Sequence, residues 1–167
     1  EDAERGLVAV DRNTVPAPLG DVRLTFAGTI EIPGRVEYLH PLHNLAIVSY
    51  DPALIGATPA RAATFRAVDL QPGEPVWAVG MRADGKVQSR STTVASVDPV
   101  AFPLSRTLQF RDANLETISL VNGPTDYDGV LVNKAGEVVA SWASFAYEAG
   151  REIAQENRGI PADLLLE

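Results

Sequence analysis

The sequence predicts an all-β protein of the sandwich or barrel class. About ten short runs of β-prone residues follow one another along the chain, and Gly, Pro, Asp or Asn residues stand between them. Strands of this length with frequent turn signals are typical of sandwiches and barrels. Helical signal is scarce: only Pro161–Glu167 resembles a helix start, with a proline at a first-turn position.

The first half of the chain, residues 1–57, is predicted to hold the strands Leu7–Val10, Val22–Phe26, Arg35–Leu39 and Leu45–Tyr50. Val22–Phe26 alternates apolar and polar residues, as a strand with one buried face does. Leu45–Val48 is continuously apolar, which favours a strand buried on both faces. The Ala-rich but punctuated segment Gly56–Ala63 is interpreted as the link to the second half, residues 58–167.

The second half is predicted to hold the strands Val76–Gly80, Val87–Val97, Thr107–Phe110, Thr117–Val121, Val130–Val132 and Val138–Phe145. Ala83–Lys86 contains the Asp-Gly pair of a tight hairpin, and Asn133–Gly136 indicates a second turn. Trp77 and Trp142 lie in apolar runs and are predicted to pack in the core. The aromatic segments Phe102–Leu104 and Phe145–Tyr147 are candidates for the rim of a groove or for a subunit contact.

Composition excludes several functions. The formal net charge is −8 and the cations are scattered, whereas nucleic-acid binding needs clustered Lys and Arg. No apolar run approaches the roughly 18 residues of a membrane span. Without cysteine there is no disulfide and no thiolate metal site. No cofactor is predicted. The chain opens without Met, which indicates a fragment of a longer protein.

Three separated blocks combine an apolar run with a polar residue at a fixed place. Gly6–Val15 contains Asn13, and His43–Val48 contains Asn44. In the third block, Asp126, Tyr127, Asp128 and Gly129 lead into the apolar Val130–Val132. These blocks resemble, in order, the G-Y-I-L-T-N-x-H-V-V, x-D-L-A-L-L and G-N-S-G-G-P-L-V-N motifs of the HtrA/Deg family of trypsin-like serine proteases.

The resemblance extends over nearly the whole chain from Gly6 onward. Gly136–Ala140 is similar to the family's G-E-V-V-G, and Asn157–Leu164 resembles the segment that precedes its closing helix and PDZ domain. It implies a trypsin-like (chymotrypsin-like) double β-barrel with a short helix start at its end. The first barrel is expected to be incomplete, because family members carry one or two more strands ahead of Gly6.

The same resemblance implies that catalysis is lost. Asn13 occupies the place of the histidine, and a neutral amide cannot act as a general base. Asn44 occupies the place of the aspartate and cannot stabilise an imidazolium, and Tyr127 occupies the place of the serine. Asp126, Asp128 and Gly129 form a degenerate oxyanion-hole loop. A one-residue gap after Asn122 would move the serine position to Asp126 or Asp128, and neither is a serine.

Ile32–Gly34, His40–Asn44 and Trp142–Phe145 resemble the second, degenerate protease domain of double-length fungal and plant HtrA proteins. The resemblance implies a scaffolding, oligomerisation or regulatory role in a nuclear serine endopeptidase of protein quality control and apoptosis, with the chloroplast as the alternative compartment. The implied partners are further copies, as a trimer, and the other protease and PDZ domains of the parent protein.

Other functions stay open at this point. The residual groove could bind peptides by strand addition. A hydrolase with an unorthodox centre at Asp126, Asp128 and His43 is a further alternative. His40 and His43 have a spacing that can bind metal, but Pro41 favours an extended segment, and no third ligand is evident. No metal site is predicted.

Overall fold

The computed structural model describes residues 4–12, 14–15, 19–41, 43–58, 60–99, 116–149 and 152–166. Within these ranges the chain forms ten strands and two short 3₁₀ helices, which confirms the all-β prediction. The predicted strand Thr107–Phe110 lies outside the described residues, as do Asn13 and Phe102–Leu104. No helix in the described ranges is long and apolar enough to cross a membrane.

The chain divides into two compact units, residues 1–40 with 44–63 and residues 41–43 with 64–167. The first unit is an open antiparallel sheet with the order β1-β4-β3-β2. Its strands are β1 (Leu7–Val10), β2 (Val22–Phe26), β3 (Ile30–Leu39) and β4 (Ala46–Tyr50). The sheet curls as half a barrel, in keeping with the expected incomplete first barrel, and the 3₁₀ helix Pro52–Ile55 follows it.

The inner face of the first sheet holds a small core around Ile32, Tyr50 and Ile55. The outer face is polar and charged. There Arg35 binds Glu37 through two hydrogen bonds of 3.0 Å, and Ser49 Oγ donates to the same carboxylate at 2.6 Å. Along β2, Val22, Leu24 and Phe26 are half-buried and the two residues between them are exposed. This is the alternation that the sequence predicts.

The contacts of Glu37 give a measurable titration. Its hydrogen bond from Arg35 and then that from Ser49 lower the pKa from 4.5 to about 2. The stabilisation from this ionised carboxylate is therefore present above the ordinary pKa and is lost as the pH falls toward 2. NMR titration of the Glu37 side chain should show this midpoint, and Arg35→Gln should raise it. A Glu37 midpoint near 4.5 in the unmodified chain would contradict the geometry.

The second unit is a closed antiparallel barrel with the order β10-β7-β6-β5-β8-β9. Its strands are β5 (Pro75–Met81), β6 (Val87–Asp98), β7 (Thr117–Leu120), β8 (Gly129–Val132), β9 (Val138–Ala149) and β10 (Glu152–Pro161). Val76, Ala78, Leu131 and Val139 are at most 1% exposed and form the centre of the barrel core.

Both predicted turns of this unit are present. Gly85, with φ 77°, closes the hairpin between β5 and β6, and Arg82 N donates to Lys86 O at 3.0 Å. In the Asn133–Gly136 turn, the amide oxygen of Asn133 accepts from Ala135 N and Glu137 N. Gly136 has φ 80°, a conformation that L side chains rarely adopt. Local residue chemistry therefore decides both turns.

Four details differ from the sequence-based expectation. Glu152–Pro161 forms strand β10, which the polar composition of the segment concealed. The helix start is a 3₁₀ helix over Ala162–Leu165, preceded by Pro161 at the end of β10. Phe145 is 2% exposed, so its ring lies in the interior and does not rim a groove. Trp142 is buried as predicted, but Trp77 lies half-buried outside the core cluster.

Candidate functional site

Tyr127 lies at the end of the loop between β7 and β8, and its side chain points into the barrel. It is 8% exposed and belongs to the core cluster of the second unit. Its hydroxyl donates to the backbone carbonyl of Ala78 on β5 at 3.1 Å. Burial raises the pKa of the phenol above 10, so the hydroxyl stays protonated at neutral pH. A phenol in this position is a structural group and not an exposed nucleophile.

Gly80 and Gly129 lie where β5, β8 and the Tyr127 ring approach one another closely. Gly80 on β5 lies opposite Gly129 on β8. A Cβ on Gly80 would stand 2.5 Å from Tyr127 Cδ2 and 2.2 Å from the carbonyl oxygen of Asp128. A Cβ on Gly129 would stand 2.1 Å from the carbonyl oxygen of Val79. The close approach of β5 and β8 at this point therefore needs glycine on both strands.

The loop of residues 121–128, which we call the Tyr127 loop, is fixed at its start by β6. Val121 N donates to Thr93 O at 3.0 Å, and Thr92 Oγ1 donates to Val121 O at 2.5 Å. Arg90 Nη1 donates to Asn122 O at 3.4 Å. Asn122 has φ 52°, in the left-handed region that asparagine tolerates better than most residues. The loop therefore leaves β7 along a defined path.

The centre of the Tyr127 loop is fixed by Trp142 of β9. Its indole Nε1 donates to Pro124 O at 3.1 Å, and Pro124 is itself fully buried. A Cβ on Gly123 would stand 2.9 Å from the Trp142 ring. Trp142 is 3% exposed, so the bond lies away from water. The loop is thus packed directly against an aromatic side chain of the barrel.

Asp126 and Asp128 have different side-chain partners. Arg82 Nε lies 3.3 Å from Asp126 Oδ2, and both side chains are about half exposed. Asp128 Oδ1 accepts a 3.1 Å hydrogen bond from Asn157 Nδ2 of β10. Asp126 therefore contacts the turn after β5, and Asp128 contacts β10. These contacts anchor the loop that the resemblance identifies as a degenerate oxyanion hole.

Asn44 belongs to the first unit, and its side chain binds the backbone of Arg12. It is 1% exposed, and its side-chain oxygen accepts from Arg12 N at 2.9 Å. Arg12 Nη1 donates to His40 O at 2.7 Å. Asn44 thus fixes the backbone of the residue that precedes Asn13, although an amide carries no charge. Asn13 itself lies outside the described residues.

The two histidines lie in different surroundings. The ring of His40 is half-buried and makes an edge-on contact with Tyr38, with centroids 5.7 Å apart. His43 is 6% exposed. Among the residues that the structure describes, no group of three His, Cys, Asp or Glu side chains could hold a metal ion.

A cavity of about 360 Å³ opens beside the Tyr127 loop in the second unit. Its walls are polar except for Leu120, Gly123 and Trp142. The polar lining comes from Ser119, Thr125, Gln155, Glu156 and Asn157. Glu156 is already engaged with Arg158, whose Nη2 lies 2.5 Å from its carboxylate. The cavity is therefore a mainly uncharged recess with an aromatic side chain in its wall.

Sequence comparison finds relatives among proteases. The chain is 35% identical over 150 residues to the pro-apoptotic serine protease NMA111 of Pyricularia oryzae, covering 88% of this chain. It is 34% identical over 172 residues to Protease Do-like 7 of Arabidopsis thaliana, covering 93% of this chain. A PDZ domain-containing protein of Schizosaccharomyces pombe is 38% identical over 143 residues, which are 84% of this chain. No family model matches the chain.

The fold agrees with these relatives. The protease domain of MamO from Magnetospirillum magneticum superposes with a TM-score of 0.62 at 24% identity, covering 97% of this chain and 82% of that domain. Deg5 superposes with a TM-score of 0.67 at 15% identity, covering 97% of this chain and 75% of Deg5. The chain belongs to the HtrA-type family of trypsin-like proteases. It spans only 14% to 15% of the length of the three curated relatives.

Within this HtrA-type fold, the structure gathers part of the predicted site. Tyr127, Asp126, Asp128 and Gly129 lie together in one loop and strand entry of the second unit, whereas Asn44 belongs to the first unit. Sequence reasoning missed the residues that hold this loop, which lie on β5, in the turn directly after β5, on β6 and on β10. They are Ala78, Gly80, Arg82, Arg90 and Asn157. A glycine at the end of the apolar run Val76–Gly80 was the one available signal for a close approach.

Proposed function

We propose that this chain is a catalytically inactive protease-like domain that serves as a scaffolding, oligomerisation or regulatory part of an HtrA-type serine endopeptidase. Asn13, Asn44 and Tyr127 stand at the triad positions, and the domain corresponds to the second, degenerate protease domain of double-length relatives. By the same resemblance the parent protein acts in the nucleus, in protein quality control and apoptosis. Its active serine lies in another domain.

The observation that carries the proposal is the direction of the Tyr127 side chain. At the nucleophile position an enzyme must present a reactive oxygen to the substrate. Here the oxygen donates a hydrogen bond to the backbone inside the barrel. Burial of the phenol raises its pKa, which makes it a poorer nucleophile at neutral pH.

The proposal predicts no acyl-transfer chemistry in the 167-residue chain. A fluorophosphonate probe should leave the intact mass unchanged, because Asn13 and Tyr127 at the proposed triad positions supply neither a histidine base nor a serine nucleophile. Trypsin treated in parallel is the positive control, and casein is the substrate for a turnover assay. A mass increase equal to one probe adduct, or casein cleavage that the probe abolishes, would overturn the assignment and reopen the hydrolase alternative.

A further inference from the structure

Three places in the sequence have an Asn or Asp directly before a glycine. They are Asp84-Gly85, Asn122-Gly123 and Asp128-Gly129. In such a pair the backbone nitrogen of the glycine can attack the side-chain carbonyl carbon of the preceding residue and close a five-membered succinimide ring. Glycine favours this ring closure because it has no Cβ to hinder the approach and because its backbone rotates freely. The structure distinguishes the three pairs.

The backbone nitrogens of the two Asp-Gly pairs are held by the fold. Gly85 N donates to Arg82 O at 2.9 Å. Gly129 begins β8, which lies between β5 and β9 in the closed barrel, so the sheet holds its backbone from both sides. A nitrogen held in this way is not free to turn onto the preceding side chain. An ionised carboxylate is also a poor electrophile, since it carries no leaving group.

The Asn122-Gly123 pair lies in different surroundings. Asn122 is exposed at the start of the Tyr127 loop, so water reaches its side-chain amide. Among the residues that the structure describes, neither the Asn122 side chain nor Gly123 N has a hydrogen-bond partner. The glycine itself belongs to the packing of the loop, because a Cβ at this position would stand 2.9 Å from the Trp142 ring. The amide and the nitrogen that would attack it are therefore both available.

Arg90 of β6 adds a positive charge at the peptide group that would react. Its Nη1 donates to Asn122 O at 3.4 Å, and this oxygen belongs to the same peptide group as Gly123 N. When hydroxide removes the proton from Gly123 N, the negative charge of the amide anion is shared with Asn122 O. A guanidinium stays protonated at every relevant pH, and a hydrogen bond from it to a developing negative charge is stabilising. Thr92 Oγ1 donates to Val121 O and so holds β6 beside this peptide.

We propose that Asn122 is a site of spontaneous deamidation, at which Gly123 N is the nucleophile and Arg90 promotes the reaction. Gly123 N forms a bond to Asn122 Cγ, the bond from Cγ to Nδ2 breaks, and Nδ2 leaves as ammonia with a proton from water. Water then opens the ring at either carbonyl and gives aspartate or isoaspartate. The Tyr127 loop thereby gains a negative charge, and the isoaspartate product also adds a carbon atom to its backbone. This modification does not depend on the proposed loss of catalysis.

The test is peptide mapping by mass spectrometry of the folded chain after incubation at neutral and at mildly alkaline pH. Asn122 should gain the mass difference between OH and NH2, and faster at the higher pH, because hydroxide removes the Gly123 proton. Asn133 is the internal control and should stay unmodified, since Lys134 follows it and its amide nitrogen binds Glu137 Oε2 at 2.7 Å. Protein isoaspartyl methyltransferase should label the product. Aspartate without isoaspartate would overturn Gly123 N as the nucleophile, because direct hydrolysis of the amide gives only aspartate.

Two matched variants test the role of Arg90. Arg90→Gln should slow the modification about threefold, the size of effect expected for an exposed charge contact. Arg82→Gln is the control and should keep the unmodified rate, because the guanidinium of Arg82 contacts Asp126 in the same loop. Circular dichroism checks that both variants are folded. Equal rates in the two variants would overturn the role of Arg90. Modification of Asn122 in urea, with none in the folded chain, would overturn the site.

Discussion

Replacing Tyr127 by the serine of an active protease should destabilise the domain strongly and should not create activity. The substitution removes an aromatic ring from the core of the barrel and leaves Ala78 O without its donor. Large-to-small changes of a buried aromatic residue cost about 3 to 5 kcal/mol. Urea unfolding of Tyr127→Ser should therefore show a loss of this size, and fluorophosphonate labelling should stay absent.

Two further variants separate the causes of that loss. Tyr127→Phe keeps the ring and deletes the hydroxyl, so it should cost only about 1 kcal/mol. Tyr38→Ser removes a tyrosine that is 47% exposed and should cost well under the Tyr127→Ser value. If Tyr127→Ser unfolded with the stability of the unmodified chain, the ring would not be part of the core, and the structural role of Tyr127 would be wrong.

Under the proposed loss of catalysis, the expected result explains why one substitution at position 127 would not restore activity. The ring of Tyr127 lies in the interior of the barrel, and Gly80 on β5 leaves room for it. A serine at 127 would not fill that space. The Tyr127 loop is also held by Arg82, Arg90 and Trp142, so its path is set by contacts that do not depend on catalysis.

Local signals predicted the strands and turns well. The Asp84-Gly85 hairpin and the Asn133–Gly136 turn depend on residues that are adjacent in sequence, and their chemistry is visible in the sequence. Strand β10 escaped notice because Glu152–Pro161 is stabilised by pairing with β9 and not by its own apolar pattern. Trp77 was misplaced because an apolar run in a barrel does not reveal which alternate residues face inward.

The residue types of the candidate site were readable from the sequence, but their geometry was not. The resemblance predicts that Tyr127 stands at the serine position of the motif, and the sequence gave no sign that the side chain turns inward. That direction depends on Ala78 and Gly80, which β-pairing brings beside the loop from a distant part of the chain. The contact of Asn44 could not be predicted either. Its side chain binds Arg12 N and so joins the end of β1 to the start of β4, and neither segment carries a sequence signal for this hydrogen bond.

Gly129→Ala should destabilise the second unit strongly. The new Cβ would stand 2.1 Å from Val79 O and 2.6 Å from Gly80 Cα, and both are backbone atoms that cannot rotate away. Relief would require β5 and β8 to separate within a closed barrel, so the loss should reach about 3 kcal/mol, the upper part of the usual range for overpacking. Gly20→Ala is the control, because a Cβ there meets nothing within 4 Å. Its unfolding free energy should change by less than about 0.5 kcal/mol. Thermal and urea unfolding of both variants measure the difference. Equal stabilities would show that β5 and β8 can move apart without cost. The tight contact between these strands would then not be what fixes the position of the Tyr127 loop.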